Sequence, residues 1–292
     1  MDQFKFLKVL GEGGFGRVWL VRDRRDQQLY ALKCLVKEKI VARNEQGLVL
    51  TEKNILRSLN SNFVVKLKAT IKDPWRVYFL MEVCSGGDLA TLIRQNGGFN
   101  EYDAHFYLGC IVQGLAYIHA NGVIHRDIKP ANVLIDARGY AKIADFGLAT
   151  TFVVGKKMFD CWGTPPYWPP ELVAGKGYDI KFDWWSLGVL CFEMLTGSLP
   201  FWNNDSKQLY DLIKLGIYDK TLLNRFSYKS KFIIKNLLTL NPDDRYFRPD
   251  YFDHDFWVSI ANQTRIAPQF QSNSNNTFQN LPTNSSEWDK DF

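Results

Sequence analysis

Residues 125–132, His-Arg-Asp-Ile-Lys-Pro-Ala-Asn, concentrate polar groups that could do chemistry. The carboxylate of Asp127, the ammonium of Lys129 and the amide of Asn132 stand here between two short apolar runs. A further apolar run ends at Asp145, which is followed by Phe and Gly. Asp145 and Asn132 offer oxygen ligands of the kind that Mg²⁺ prefers. The pattern therefore predicts a catalytic loop beside a magnesium site.

Two further charged residues stand at positions where an apolar side chain is expected. Lys33 lies between Leu32 and Cys34 in an apolar strand pattern, and Glu52 lies within the apolar stripe of a predicted helix. Burying either charge without a partner is costly, so pairing the two resolves both placements. The pair is either a structural ion pair or a lysine that Glu52 holds toward phosphate oxygens.

Glycines spaced for phosphate binding occur at 11–18, which fit the pattern G-x-G-x-x-G-x-V. Glycines let backbone amides approach phosphate oxygens without interference from a Cβ atom. A dinucleotide-binding fold uses a similar string but opens a helix after it, whereas residues 18–21 continue here as a strand. We therefore predict a hairpin flap over phosphates. A glycine-rich hairpin without a ligand is the alternative.

The elements that must position these residues change in character along the chain. Apolar runs and helical spacing predict strands at 4–10, 18–21, 29–35, 64–67 and 77–83 and one helix at 45–59. Beyond them, helices are predicted at 101–119, 182–196, 206–215 and 227–239. A small, mostly β lobe of about residues 4–82 therefore precedes a larger, mostly α lobe of about residues 88–257.

Residues 258–292 form a tail of different composition. From Asn262 onward, Asn, Gln, Ser and Thr supply 17 of 31 residues, and such a segment buries little surface by itself. Aromatic residues interrupt it at Phe270, Phe278, Trp288 and Phe292. We expect a tail that wraps the lobes and is held by these aromatics, with a disordered tail as the alternative.

The composition excludes several classes of protein. The 292 residues are 46% hydrophobic and carry a net charge of only +5 with no dense basic block, so no nucleic-acid partner is expected. Five widely spaced cysteines favour a reduced, intracellular setting. The chain shows no apolar signal segment, and its most apolar run, 184–195, is too short to span a membrane. We expect a cytoplasmic protein, with the nucleus as a second compartment.

In this order and spacing the motifs resemble those of the eukaryotic protein kinase catalytic domain over residues 4–257. The matching segments are the glycine-rich string, Ala-Leu-Lys at 31–33, Glu52, His-Arg-Asp at 125–127 with Asn132, Asp-Phe-Gly at 145–147 and Pro-Glu at 170–171. The resemblance implies a bilobal α+β fold, a buried helix at 183–188 that anchors the catalytic loop, and an ion pair between Glu171 and Arg245. The strings at 13–18, 31–35, 138–142 and 288–292 are most similar to the AGC group, and within it to the catalytic domain of cGMP-dependent protein kinases.

Catalytic roles are implied residue by residue. Asp127 would orient the substrate hydroxyl and accept its proton, and Lys129 would neutralise charge on the transferred phosphoryl group. Lys33, held by Glu52, would contact the phosphates. The position of Lys129, two residues after Asp127, is similar to that in Ser/Thr rather than Tyr kinases.

ATP and Mg²⁺ are the implied cofactors. Asn132 and Asp145 would bind the Mg²⁺. The nucleotide would be enclosed by Leu10, Gly11, Glu12, Gly13, Gly14, Phe15, Gly16, Arg17, Val18, Ala31, Lys33, Met81, Glu82, Val83, Asp88 and Leu134. Of these, Met81 would be the gatekeeper, and the backbone at Glu82 and Val83 would read the edge of the adenine.

The implied activity is transfer of the γ-phosphate of ATP to Ser or Thr of protein substrates by a monomer, with any regulatory partner unidentified. Asp88 and Asp211 match positions that read basic residues upstream of the target; solvated surface acids are the alternative. Pro166 stands where members of the family commonly have an acidic residue. Trp162 and Trp168 add bulk around the loop that would bind the substrate peptide. A pseudokinase scaffold or a small-molecule phosphotransferase are the competing classes.

Asp160 stands where AGC relatives usually carry a phosphorylated Thr. We expect Asp160 to pair with Arg126, with Lys156 and Lys157 as further cationic neighbours. This pairing would order the segment after Asp145 without phosphorylation. The alternative is a solvent-exposed acid in a segment that Trp162 and Trp168 order. Thr283, Ser285 and Ser286 are candidate phosphorylation sites in the tail.

Overall fold

The N-terminal strands form one antiparallel sheet with the order β1-β2-β3-β5-β4. The structure is a computed structural model that describes residues 2–14, 16–268, 289 and 292. The strands are β1 Phe4–Gly13, β2 Gly16–Asp23, β3 Leu29–Val36, β4 Leu67–Lys72 and β5 Arg76–Met81. Hairpins join β1 to β2 and β2 to β3, which confirms the antiparallel meander that the sequence predicts.

The fourth strand begins later than its sequence pattern predicts. The prediction of a strand at 64–67 is wrong, because β4 begins only at Leu67. Val64 instead forms an isolated bridge with Ile143, and the amide of Val65 donates to the carbonyl of Ile143 at 2.9 Å. The apolar run therefore ties the small lobe to the large lobe and does not lengthen the sheet.

Two helices, α1 Lys37–Ala42 and α2 Gln46–Ser58, complete the small lobe. The buried face of α2 carries Val49, Ile55 and Leu56 together with Glu52. The helical spacing of 45–59 thus predicts α2 to within one residue at each end. Glu52 therefore directs its carboxylate toward the interior, where the negative charge needs a cationic partner.

The large lobe is mainly helical. Its helices are α3 Leu89–Asn96, α4 Glu101–Ala120, α5 Pro170–Val173, α6 Lys181–Thr196, α7 Ser206–Leu215, α8 Tyr228–Leu237 and α9 His254–Ala261. Side-chain caps begin several of them; Asn100, for example, accepts from the amide of Asp103 in α4. Helices α4 and α6 bury residues on almost every face and form the centre of this lobe.

Two pairs of short strands lie in the large lobe. They are β6 Val123–Ile124 with β9 Thr150–Thr151, and β7 Val133–Ile135 with β8 Ala141–Ile143. The residues between β6 and β7 contain the predicted catalytic loop, and Asp145 follows β8. These strands therefore hold both ends of the catalytic loop and the residues that precede Asp145.

The two lobes give the predicted bilobal α+β fold. A hinge segment, residues 82–88, connects them. The amide of Gly86 donates to the carbonyl of Ile135, and the amide of Ile135 donates to the carbonyl of Gly87, both at 2.9 Å. Among the residues described above, no helix is both long and apolar enough to cross a membrane.

The last residue packs on the small lobe, as predicted for the tail aromatics. The ring of Phe292 lies 5.2 Å from that of Phe79, centroid to centroid, and 5.3 Å from the ammonium of Lys53. Nearby, the carboxylate of Asp289 lies 2.5 Å from the ammonium of Lys37. The expected contacts of Phe270, Phe278 and Trp288, and the candidate phosphorylation sites Thr283, Ser285 and Ser286, lie outside the described residues.

Candidate active site

Lys33, Glu52 and Asp145 meet at the junction of the lobes. The ammonium of Lys33 on β3 lies 2.7 Å from Glu52 Oε1 on α2 and 3.0 Å from Asp145 Oδ1 after β8. The ion pair between Lys33 and Glu52 confirms the pairing inferred from their costly placements. Asp145 joins it, and so connects the large lobe to both elements of the small lobe.

The charges in this cluster support one another. Burial alone would lower the pKa of the Lys33 ammonium, but Asp145 and Glu52 outweigh burial and raise that pKa. The charge of Lys33 in turn lowers the pKa of the Asp145 carboxyl to about 2. Lys33 therefore stays cationic and Asp145 anionic at neutral pH. The side chain of Asp145 is 56% exposed, so its carboxylate remains open to a cation.

Asp127, Lys129 and Asn132 converge in the catalytic loop. The ammonium of Lys129 lies 2.8 Å from Asp127 Oδ2. The Asn132 amide donates to the carbonyl and to Oδ2 of Asp127, both at 2.8 Å. Thr164 closes the network, because its hydroxyl donates to Asp127 Oδ1 and accepts from Lys129, both at 2.7 Å. These contacts of Thr164 are not predicted from the sequence.

A buried carboxylate on α6 holds the catalytic loop in a strained shape. Asp183 accepts from the amides of His125 and Arg126, both at 2.9 Å, and from His119 Nε2 at 2.8 Å. Arg126 has a φ of 67° and Asp145 a φ of 57°, a left-handed conformation that costs free energy outside glycine. The bonds of Asp183 offset this cost at Arg126. The anchoring helix that the resemblance implies is thus present.

Asn132 and Asp145 suit a cation that arrives with phosphates. The amide of Ala144 donates to the carbonyl of Asn132 at 2.9 Å, which places Asp145 beside the end of the catalytic loop. Because the nitrogen of the Asn132 side chain donates to Asp127, its amide oxygen is the atom presented to a cation. Proteins usually bind Mg²⁺ with one or two carboxylates together with substrate phosphates, and this donor set fits.

The glycine-rich string forms a β-hairpin and opens no helix. Gly13 faces Gly16 across β1 and β2, and Glu12 pairs with Arg17 at 2.7 Å. Only glycine fits at Gly16, since a Cβ atom there would lie 1.8 Å from the carbonyl oxygen of Cys34. The topology therefore excludes the dinucleotide-binding alternative. Phe15 lies outside the described residues.

Four of the expected nucleotide contacts share one face of the sheet. Val18 stands opposite Lys33 in β2 and β3, and Ala31 stands opposite Met81 in β3 and β5. Since Ala31 and Lys33 are two residues apart, all four side chains point to the face that carries the Lys33 ammonium. Leu134 on β7 forms a bridge with Asp88 of the hinge segment, on the large-lobe side.

The two acids expected to read substrate already have partners. Asp88 begins α3, where its Oδ1 accepts from the amide of Thr91 at 2.7 Å and its Oδ2 from the Thr91 hydroxyl at 3.0 Å. Asp211 on α7 pairs with Lys214 at 2.7 Å. Both carboxylates therefore have local roles that compete with a substrate cation.

The segment after Asp145 is tied to the catalytic loop through Asp160. Its carboxylate pairs with Arg126 at 2.5 Å, as predicted, and accepts from the Tyr178 hydroxyl at 2.9 Å, a contact missed from the sequence. The expectation for Lys157 is wrong, because that lysine pairs with Asp179 at 2.9 Å. The predicted pair of Glu171 and Arg245 is present at 2.7 Å and is buried.

Comparison with known proteins agrees with this geometry. The family model described as "Protein kinase domain" matches residues 4–257. A cGMP-dependent protein kinase of Drosophila melanogaster, isozyme 2 forms cD5/T2, is 37% identical over 315 residues that cover 100% of this chain and 34% of the relative. Human cGMP-dependent protein kinase 2 is 40% identical over 244 residues, covering 84% of this chain and 32% of the relative.

A third relative, the cGMP-dependent protein kinase egl-4 of Caenorhabditis elegans, is 39% identical over 247 residues, 84% of this chain and 32% of the relative. The chain thus spans about a third of the length of these curated relatives. The resemblance drawn from the sequence motifs is confirmed. The chain belongs to the protein kinase family, as a serine/threonine kinase catalytic domain of the AGC type.

Proposed function

We propose that this chain transfers the γ-phosphate of ATP, in the presence of Mg²⁺, to Ser or Thr hydroxyls of protein substrates. The observation that carries the proposal is the network of Asp127, Lys129 and Thr164, next to the cluster of Lys33, Glu52 and Asp145. One network suits a hydroxyl acceptor and the other a charged phosphate chain. The proposal includes the kinase activity of these relatives and not their dependence on cGMP.

The acceptor side of the reaction falls to Asp127. Its Oδ1 already accepts a hydrogen bond from the hydroxyl of Thr164 at 2.7 Å, which is the contact that a substrate hydroxyl would make. Asp127 would orient that hydroxyl and take its proton as the oxygen attacks the γ-phosphorus. The bond from that phosphorus to the β-phosphate oxygen breaks in the same step, and ADP leaves. Lys129 lies 2.8 Å from Asp127 and would neutralise the charge that develops on the transferred group.

On the ATP side of the reaction, the acting residues are Lys33, Asp145 and Asn132. Lys33 keeps its charge and would contact phosphate oxygens from the sheet face beneath the hairpin. A bound Mg²⁺ supplies charge neutralisation of the phosphate oxygens. Asp145 and Asn132 would hold that ion.

Radiolabelled transfer from ATP to a mixed Ser/Thr peptide pool tests this function. Asp127→Asn and Lys33→Met should each reduce the rate by about a hundredfold or more while the proteins stay folded. Lys68→Met, an exposed lysine on the same sheet, is the matched control and should retain the rate. Binding of ATP without any transfer by the wild type would contradict the proposal and favour the scaffold alternative.

Substrates should carry a basic residue upstream of the target, with a loose requirement. A charge-assisted hydrogen bond contributes about 1.5–3 kcal/mol, yet Asp88 and Asp211 already have partners, and Ala131 and Pro166 stand where acids are common. A peptide array should show preference for Arg or Lys at the position three before the target. Asp88→Asn should weaken that preference, whereas Asp255→Asn on α9 should leave it unchanged. A flat profile at this position would contradict the substrate proposal alone.

A further inference from the structure

Glu82 and Lys142 form an ion pair that the phosphoryl-transfer chemistry does not use. Glu82 Oε1 lies 2.8 Å from the ammonium of Lys142, and the two side chains are 22% and 6% exposed. Glu82 begins the hinge segment directly after β5, whereas Lys142 lies on β8 in the large lobe. The pair therefore joins the two lobes at the hinge segment.

The same carboxylate also accepts from the main chain directly before β4. The amide of Lys66 donates to Glu82 Oε1 at 2.9 Å, and the amide of Glu82 donates to the carbonyl of Lys66 at 3.0 Å. One oxygen of Glu82 thus accepts from the residue directly before β4 in the small lobe and from a strand of the large lobe. Both the main chain and the side chain of Glu82 are held at the point where the hinge segment begins.

Burial makes this contact hard to replace. An ammonium removed from water needs a charged or polar partner, and losing that partner leaves an uncompensated charge. Across the described ranges, Glu82 is the one carboxylate within ion-pair distance of Lys142. Lys142 therefore holds the Glu82 side chain in one position, and through it the main chain of Glu82.

The pair adjoins the surface expected to hold adenine. Lys142 stands opposite Leu134 in the pairing of β7 and β8. Glu82 directly follows Met81, which stands opposite Ala31. The main chain of Glu82 and Val83 is thus set between the apolar residues expected above and below the base.

We propose that the ion pair of Glu82 and Lys142 positions the main chain of Glu82 and Val83 for recognition of the adenine edge. This rests on the proposed function, since it presupposes a nucleotide in this cleft. Among the described residues, neither side chain pairs with a member of the Lys33, Glu52 and Asp145 cluster, so both are positioning residues. Removing the pair should weaken recognition of the base and leave the phosphate contacts of Lys33 intact.

Separate measurement of the base and of the phosphate chain tests this inference. Calorimetry on the full chain would compare binding of adenosine with binding of magnesium tripolyphosphate, and kinetics would give KM for ATP and kcat. Lys142→Met should weaken adenosine binding and raise KM for ATP by about tenfold, less than the roughly hundredfold that a 1 Å misplacement can cost. Tripolyphosphate affinity and kcat should stay within about twofold of wild type.

Matched variants separate positioning from general damage. Lys142→Arg keeps a cation and should restore most of the adenosine affinity, and Lys66→Met should bind adenosine as wild type does, because only the Lys66 main chain contacts Glu82. If Lys142→Met fails to fold, the double variant Glu82→Leu with Lys142→Met removes both charges and should show the same selective loss.

The possible outcomes are distinct. Unchanged adenosine affinity in the folded variants would overturn the inference, and so would equal losses for adenosine and tripolyphosphate. A third outcome is a wild-type chain that binds tripolyphosphate and transfers phosphate but shows no affinity for adenosine. This result would overturn the inference and leave the proposed transfer reaction standing. A wild-type chain that binds neither compound would overturn the proposed function itself.

Discussion

The carboxylate of Asp160 lies 2.5 Å from the guanidinium of Arg126, the residue directly before Asp127 in the catalytic loop. The Tyr178 hydroxyl donates to the other oxygen of Asp160, and Arg126 Nε donates to the carbonyl of Leu148 at 2.6 Å. Burial opposes ionisation of Asp160, but the bond from Tyr178 and the charge of Arg126 outweigh it and lower the pKa of this carboxyl. A permanent negative charge therefore connects the segment after Asp145 to the catalytic loop.

We expect phosphatase-treated wild-type protein to be active and Asp160→Ala to lose roughly tenfold or more of its kcat. The reason is that a charge-assisted hydrogen bond contributes about 1.5–3 kcal/mol, and each 1.4 kcal/mol or so of lost stabilisation is tenfold in rate. Peptide phosphorylation rates measure the effect. Lys157→Met is the control, because it breaks the neighbouring ion pair with Asp179 and leaves Arg126 untouched. Full activity in Asp160→Ala, or no activity in the dephosphorylated wild type, would show that Asp160 does not take the place of a phosphorylated Thr.

Asp145→Asn should raise the Mg²⁺ concentration needed for half-maximal rate by about tenfold or more, because the variant loses the anionic ligand of the cation site. The carboxyl of Asp145 has a pKa of about 2, so it is ionised throughout the range in which kinases are assayed. A magnesium titration of the transfer rate provides the measurement. Asp255→Asn, an exposed change on α9, serves as the control. Near-wild-type turnover of folded Asp145→Asn at ordinary Mg²⁺ would disprove the metal assignment.

Arg245→Met should lower the free energy of unfolding by about 3–5 kcal/mol, because it leaves the Glu171 carboxylate buried without its cation. Arg245 and Glu171 form two bonds, at 2.7 and 2.9 Å, and their side chains are 0% and 5% exposed. Denaturant titration would measure the loss. The exposed pair of Arg248 and Asp250 offers the matched control, and Arg248→Met should cost no more than about 1 kcal/mol. If both variants lost the same free energy of unfolding, burial would not explain the contribution of the pair of Arg245 and Glu171 to stability.

Stability should fall as the pH is lowered from about 6.5 toward 4, in part because of His105. Burial lowers the pKa of His105 from 6.5 to about 4, and its Nε2 lies 2.9 Å from the Ser230 hydroxyl. Between these two values the unfolded chain binds a proton at His105 that the folded chain does not, so unfolding becomes more favourable as the pH falls. Unfolding midpoints at pH 7, 5.5 and 4.5 would show a shallower dependence in His105→Gln. His254→Gln, at an exposed histidine, should keep the wild-type dependence, and identical curves for His105→Gln and wild type would contradict this account.

Features that depend on neighbours along the chain are predictable from the sequence. The hairpin at 11–18 follows from glycines placed directly before a strand pattern, and α6 follows from a run that is apolar on every face. The pairing of Lys33 with Glu52 is also predictable, since the free-energy cost of burying each charge points to the other. The catalytic loop could be located because its polar residues are contiguous.

Contacts between segments far apart in the chain were decided by the tertiary structure. Thr164 joins Asp127 and Lys129, and Tyr178 joins Asp160, through hydroxyl groups whose residue types are common on any surface. The start of β4 moved to Leu67 because Val64 and Val65 found partners on the other lobe. A hydrogen bond depends on distances of about 3 Å and on the angle of approach. Sequence patterns specify which face a residue occupies, but only the packed lobes bring two such groups to that separation.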